Sequence, residues 1–105
     1  MPVIADKINN SETLLTIQGE LDTKNCLDFK EQILKLITDG IKTVTVDLAE
    51  IDFIDSPGIG ILLSASFAMD NSGGKLFLEN PQMHVIDLLE ATQAIKHLNV
   101  KNEVV

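Results

Sequence analysis

Val3 to Ile8 alternates in part between apolar and polar residues, the two-residue period of a strand with one buried face. Asn9 to Glu12 (NNSE) is turn-like, and Thr13 to Gln18 (TLLTIQ) predicts a second strand, so the chain is expected to open with a hairpin. Gly19 to Asp22 (GELD) breaks the pattern. The period then lengthens. Cys26, Phe29, Ile33, Leu36 and Ile37 recur at helical spacing and predict a helix from about Asn25 to Asp39. Asn25 or Thr23 suits its start and Gly40 its end. Thr43 to Leu48 (TVTVDL) is rich in β-branched residues and predicts a central strand.

Further along, Pro57 to Asn71 predicts a second helix, closed by the turn residues of Asn71 to Gly74 (NSGG). Lys75 to Leu78 (KLFL) predicts a short strand, and Pro81 to Ala91 a third helix with Val85, Leu88 and Leu89 on one face. The segment Ile95 to Val105 predicts a short helical turn and then a strand near Val100 to Val105. The order ββ-α-β-α-β-α, ending in β, is that of an α/β domain with a mixed sheet, parallel pairs and right-handed crossovers. A chain of 105 residues fits one such domain. No repeat, low-complexity stretch or linker divides it.

Ser56 and Pro57, within FIDSPGIG (Phe53 to Gly60), form a favourable helix start. Serine is a preferred N-cap, and proline suits the first helical position because its missing amide hydrogen costs nothing there. Along the helix, Ile59, Leu62, Leu63, Ser66 and Phe67 are expected to face the sheet. Ile61, Ser64, Ala65 and Ala68 fall on the other side. That second face is small and uncharged, so it is either covered by another helix or forms an apolar contact patch beside Ser56.

Charge narrows the partners. The formal net charge is −8, and all eight basic residues are lysines with no basic cluster. Nucleic acid and anionic membrane surfaces are therefore disfavoured, and a partner with a basic face is favoured. No apolar run approaches the roughly 20 residues of a membrane span, and the amino terminus lacks a secretory pattern. The single cysteine, Cys26, cannot form an internal disulfide and reads as a small core residue; a cytoplasmic location is expected.

Catalytic chemistry is not visible. His84 and His97 stand in no catalytic or metal-binding spacing, and a nucleophile–base pair is missing. Gly58-x-Gly60 lacks the remaining parts of a dinucleotide site, and no phosphate loop occurs. Asp47, Asp52 and Asp55 read as solvated carboxylates at strand ends rather than metal ligands. No cofactor and no metal are expected, and the protein is not expected to be an enzyme. What remains is the hydroxyl of Ser56. It reads first as a helix cap. At a helix N-terminus a phosphate on it is also locally tolerated, and it adds about −1.5 to −2 charge. Such a charge in an interface costs roughly 2–5 kcal/mol of affinity without refolding.

TVTVDLAEIDFIDSPGIG resembles the central signature of STAS domains, the anti-sigma factor antagonist (anti-anti-sigma factor) family. Asp47-Leu48 matches the strand end, and Asp55-Ser56-Pro57-Gly58-Ile59-Gly60 matches Asp-Ser-x-Gly-hydrophobic-Gly. Gly19-Glu20-Leu21-Asp22, Gly73-Gly74-Lys75 and Asn80-Pro81 also fall in family order, so the resemblance spans nearly the whole chain. It implies a single STAS domain over residues 1–105, a mixed sheet of four to five strands with helices mainly on one face. It further implies a regulatory protein whose unphosphorylated form binds an anti-sigma factor that is also a serine kinase, releasing a sigma factor. Phosphorylation at Ser56 switches it off, and a PP2C-type phosphatase restores it. Asp22, Asp55, Ser56, Gly58, Gly60 and Ile61 are implied to line the partner surface, the glycines allowing close approach. The domain is expected to be a monomer or weak dimer. Relatives of another kind dock constitutively on transport ATPases or stress-sensing assemblies. Two departures stand out: Pro57 replaces the small residue often found there, and Gln93 follows Thr92 where the family often has Gly.

Overall fold

The computed structural model of the protein describes residues 3–101. The hairpin forms as expected, from β1 (Val3–Asn9) and β2 (Glu12–Ile17). Next come β3 (Gly19–Leu21), α1 (Cys26–Thr38), β4 (Thr43–Asp47), β5 (Ile51–Ile54) and α2 (Ser56–Asn71). The chain ends with β6 (Lys75–Glu79), α3 (Met83–Ala91), a 3₁₀ turn (Ala94–His97) and β7 (Asn99–Lys101). The end strand thus begins one residue earlier than predicted, and residues 102–105 lie outside the described residues.

Five strands form one sheet in the order β1-β2-β4-β6-β7. Only β1–β2 is antiparallel; the other three pairs are parallel. Leu15, Ile17, Val44, Val46, Leu76 and Leu78 share one face and join Phe29, Ile33, Leu62, Val85 and Leu89 from the helices in a single core. The helices therefore lie on that face. On the other, the Lys101 ammonium sits 5.0 Å from the centre of the Phe77 ring and donates to the Thr45 hydroxyl at 3.1 Å. This cation covers apolar and polar surface that no helix protects.

β3 and β5 were not expected. They pair in parallel as a separate two-stranded ribbon, with Leu21 opposite Ile54. Each is too short to show a period, and Asp52 and Phe53 are exposed between buried Ile51 and Ile54, which hides alternation.

α1 behaves as predicted: Phe29 and Ile33 are buried, Cys26, Leu36 and Ile37 pack at the core margin, and Gly40 takes φ +84 just after the helix. For α2 the face assignment needs two corrections. Ala65 is buried at 2% exposure, whereas Phe67 is 66% exposed. α1 packs along α2, so the small-residue side is partly covered and the buried arc is rotated toward it. Gln93 has φ +65, a left-handed conformation in which glycine is unstrained, so its departure from the family pattern has a backbone meaning.

Candidate functional site

The C-terminal ends of β3 and β5 bring two acidic loops side by side. Leu21 and Ile54 are register partners, so Asp22 and Asp55 both leave the ribbon at its same end. The Asp55 amide donates to the Leu21 carbonyl at 3.4 Å. Sequence reasoning placed these two residues on one surface only through resemblance; the ribbon supplies the physical cause.

Asp55 corrects the expected cap. It, and not Ser56, is the N-cap of α2: its backbone is extended, and its Oδ1 accepts from the Gly58 amide at 2.9 Å. Ser56 becomes the first helical residue and Pro57 the second, where proline's missing donor is still harmless. Ser56 is exposed and its hydroxyl is not the one that holds the cap.

Asp22 is half-buried and has a similar local task. Its Oδ1 accepts from the Lys24 amide at 3.0 Å and from the Asn25 amide at 3.3 Å, shaping the turn into α1. Neither Thr23 nor Asn25 caps that helix through its side chain. Asn25 turns back instead: Oδ1 accepts from the Asp22 amide at 2.9 Å and Nδ2 donates to the Glu20 carbonyl at 2.6 Å. The GELD segment is thus clamped from both sides.

The two glycines separate. Gly58 is buried, and a Cβ there would collide with the Leu21 carbonyl oxygen and come within 2.9 Å of Ile54 Cγ1. Its bareness lets β3 lie against the start of α2, so it serves internal packing and not the approach of a partner. Gly60 is exposed, with open space where a Cβ would go. Ile61 is half-buried against the core. Around this ribbon end Phe53 is 50% exposed, and Glu20 and Asp52 are exposed as well. Exposed Phe53 is a feature that sequence reasoning missed; only the unforeseen strand β5 turns it outward. The surface is acidic with an apolar component, which suits a basic partner.

Asp47 and His84 have structural partners. Asp47 Oδ1 accepts from the Ala49 amide at 2.9 Å, and His84 Nε2 lies 3.1 Å from the Asp52 carbonyl oxygen. Among the described residues, no three His, Cys, Asp or Glu side chains are gathered for a metal ion, and no helix is long and apolar enough to cross a membrane.

The chain is 27% identical over 86 residues to the anti-sigma-B factor antagonist of Bacillus subtilis (strain 168), which takes in 82% of this chain and 78% of that one. The crystal structure of a putative anti-sigma factor antagonist from Thermotoga maritima superposes with a TM-score of 0.86 at 19% identity, covering 97% of this chain and 87% of the other. The anti-sigma factor antagonist SpoIIAA in its unphosphorylated form gives 0.81 at 19% identity, covering 96% and 89%. SpoIIAA from Bacillus in its phosphorylated form gives 0.75, also at 19%, covering 96% and 92%. The STAS domain model matches residues 3–105, nearly the whole length over which these folds agree, and the chain belongs to the STAS domain family.

Proposed function

We propose that the protein is an anti-sigma factor antagonist whose unphosphorylated form binds an anti-sigma factor with serine kinase activity and thereby releases a sigma factor. Phosphorylation at Ser56 ends that binding, and a PP2C-type phosphatase restores it. The observation that carries this reading is the position of Ser56: exposed on the first turn of α2, one residue after the carboxylate that caps the helix.

The cap explains why a phosphate acts on the partner and not on the fold. Asp55 already accepts from the Gly58 amide, and Pro57 has no amide hydrogen to offer. The usual anion-binding donors of a helix N-terminus are therefore largely engaged. A phosphate on Ser56 adds about −1.5 to −2 charge beside Asp55, and that charge projects outward. Within the contact this charge is strongly hydrated and has no matched partner group, so binding is lost through the cost of burying it rather than through unfolding. Relatives named as anti-sigma-B factor antagonists, and a structural neighbour solved in both phosphorylation states with this fold, support the reading.

The test is the intact mass of the protein after incubation with ATP and an anti-sigma factor serine kinase from the same genome, with Ser56→Ala in parallel. A gain of one phosphate that disappears in the variant is expected. No gain, with the kinase active on another substrate, sinks the switch and leaves a constitutive docking subunit.

A further inference from the structure

The far end of α2 borders an open groove of about 550 Å³, within the roughly 300–1,000 Å³ range of small-molecule clefts. α2 forms one wall, and the 3₁₀ turn with the start of β7 forms the other. It lies along the second half of the helix, up to about 20 Å from Ser56 at the rise of an α-helix.

Two observations converge there. Apolar side chains line it: Leu63, Leu98 and Phe67, whose ring is 66% exposed. Positive charge gathers around them. The Lys75 and Lys96 ammonium groups face the groove, with the His97 imidazole beside them, against one carboxylate, Asp70, in a chain where acids outnumber lysines 16 to 8. The Lys75–Asp70 pair is loose at 3.6 Å, and among the described residues Lys96 is tied only to the Gln93 side-chain oxygen at 3.0 Å, so both ammonium groups can turn to a ligand. Ser66 also lines the groove, at 2% exposure.

We propose that this groove binds a small organic acid: one anionic head on an apolar, flat or branched body. Phe67 and Leu98 take the body, and Lys96 and Lys75 neutralise the head. The chemistry does not depend on Ser56 or on the function proposed above.

The probe is 8-anilinonaphthalene-1-sulfonate, titrated into ¹⁵N-labelled protein up to about 1 mM, with uncharged N-phenyl-1-naphthylamine as its neutral counterpart. The sulfonate is expected to shift amides of residues 63–70 and 95–99 while those of Asp22 and Ser56 stay in place. Lys96→Glu, on an exposed turn, is expected to weaken it by about tenfold or more, and the neutral compound to bind about tenfold more weakly than the sulfonate. Lys96→Gln repeats the comparison if the spectrum of Lys96→Glu shows a changed fold. Shifts elsewhere, no shifts, or equal binding by the variants overturns the site. Equal binding by the neutral compound overturns its selectivity for acids. Movement of the same amides with protein concentration alone makes the groove a contact between copies, and overturns the proposal too.

Discussion

Each end of α2 holds a serine and a closely packed glycine, and the two ends use the serine differently. At the C-terminal end, the Ser72 hydroxyl donates to the Met69 carbonyl at 2.8 Å, and the Lys42 ammonium donates to the Ser72 carbonyl at 2.9 Å. A Cβ on Gly74 would lie 2.5 Å from the Lys42 carbonyl oxygen. At the N-terminal end, Gly58 lies just as tightly against Leu21, but the side-chain hydrogen bond comes from the neighbouring Asp55. Both glycines are framework. Of the serines, Ser72 is tied into the helix end and Ser56 is left exposed. Whether a hydroxyl at a helix end is available for chemistry is set by which neighbour takes the backbone groups.

The largest effect that can break this comparison is in binding. Ser56→Asp puts a fixed charge on the exposed serine and is expected to weaken the proposed partner by about 30- to several-thousand-fold, or roughly 2–5 kcal/mol. Ser56→Ala is expected to bind like the wild type and not to switch. Titration calorimetry of all three forms decides it; equal affinity of Ser56→Asp and Ser56→Ala rules out the charge mechanism.

Next is the glycine at each position of the N-terminal turn. Gly58→Ala forces a Cβ into the Leu21 carbonyl and is expected to cost roughly 1–3 kcal/mol or more. For a domain of this size that lowers the melting temperature by about 4–8 °C per kcal/mol. Gly60→Ala meets open space in a helix interior and is expected to gain up to about 1 kcal/mol. Thermal unfolding of the two variants side by side should give opposite signs. A shared sign would mean that the ribbon does not press on Gly58.

Asp55→Ala removes the cap and is expected to cost about 0.5–2 kcal/mol, while Asp55→Asn keeps an acceptor and most of the stability. Urea unfolding of the pair measures it. Equal loss in both would point to the carboxylate's charge, acting on the helix dipole, in place of its hydrogen bond.

The periodic elements were legible in the sequence because each buries one face of a long enough run. Phe29 and Ile33 announce α1, and the TVTVD strand needs no context. The ribbon was not legible: β3 and β5 are three and four residues long, and only their mutual pairing makes them strands. The cap was misread for a related reason. Asp55 and Ser56 are both good N-cap residues, and residue type cannot choose between neighbours. The choice falls to the Leu21–Ile54 pairing, which fixes where β5 ends, and to Gly58, which places its amide under the Asp55 carboxylate. Phe67 was misplaced because α1, not the sheet alone, decides the buried arc of α2.

The smallest expected difference is the sharpest test of the comparison itself, because it uses the same substitution twice. Ser72→Ala deletes a half-buried hydroxyl that donates to Met69 at the helix end, and is expected to cost about 0.5–1.5 kcal/mol. Ser56→Ala deletes an exposed hydroxyl outside the cap and is expected to stay within about 0.5 kcal/mol of the wild type. Chemical unfolding of the two variants resolves this gap if their slopes agree. A cost at Ser56 equal to that at Ser72 would mean that Ser56 shares the capping with Asp55. Phosphorylating it would then disturb the helix start as well as the docking surface, and the separation of fold from switch would fail.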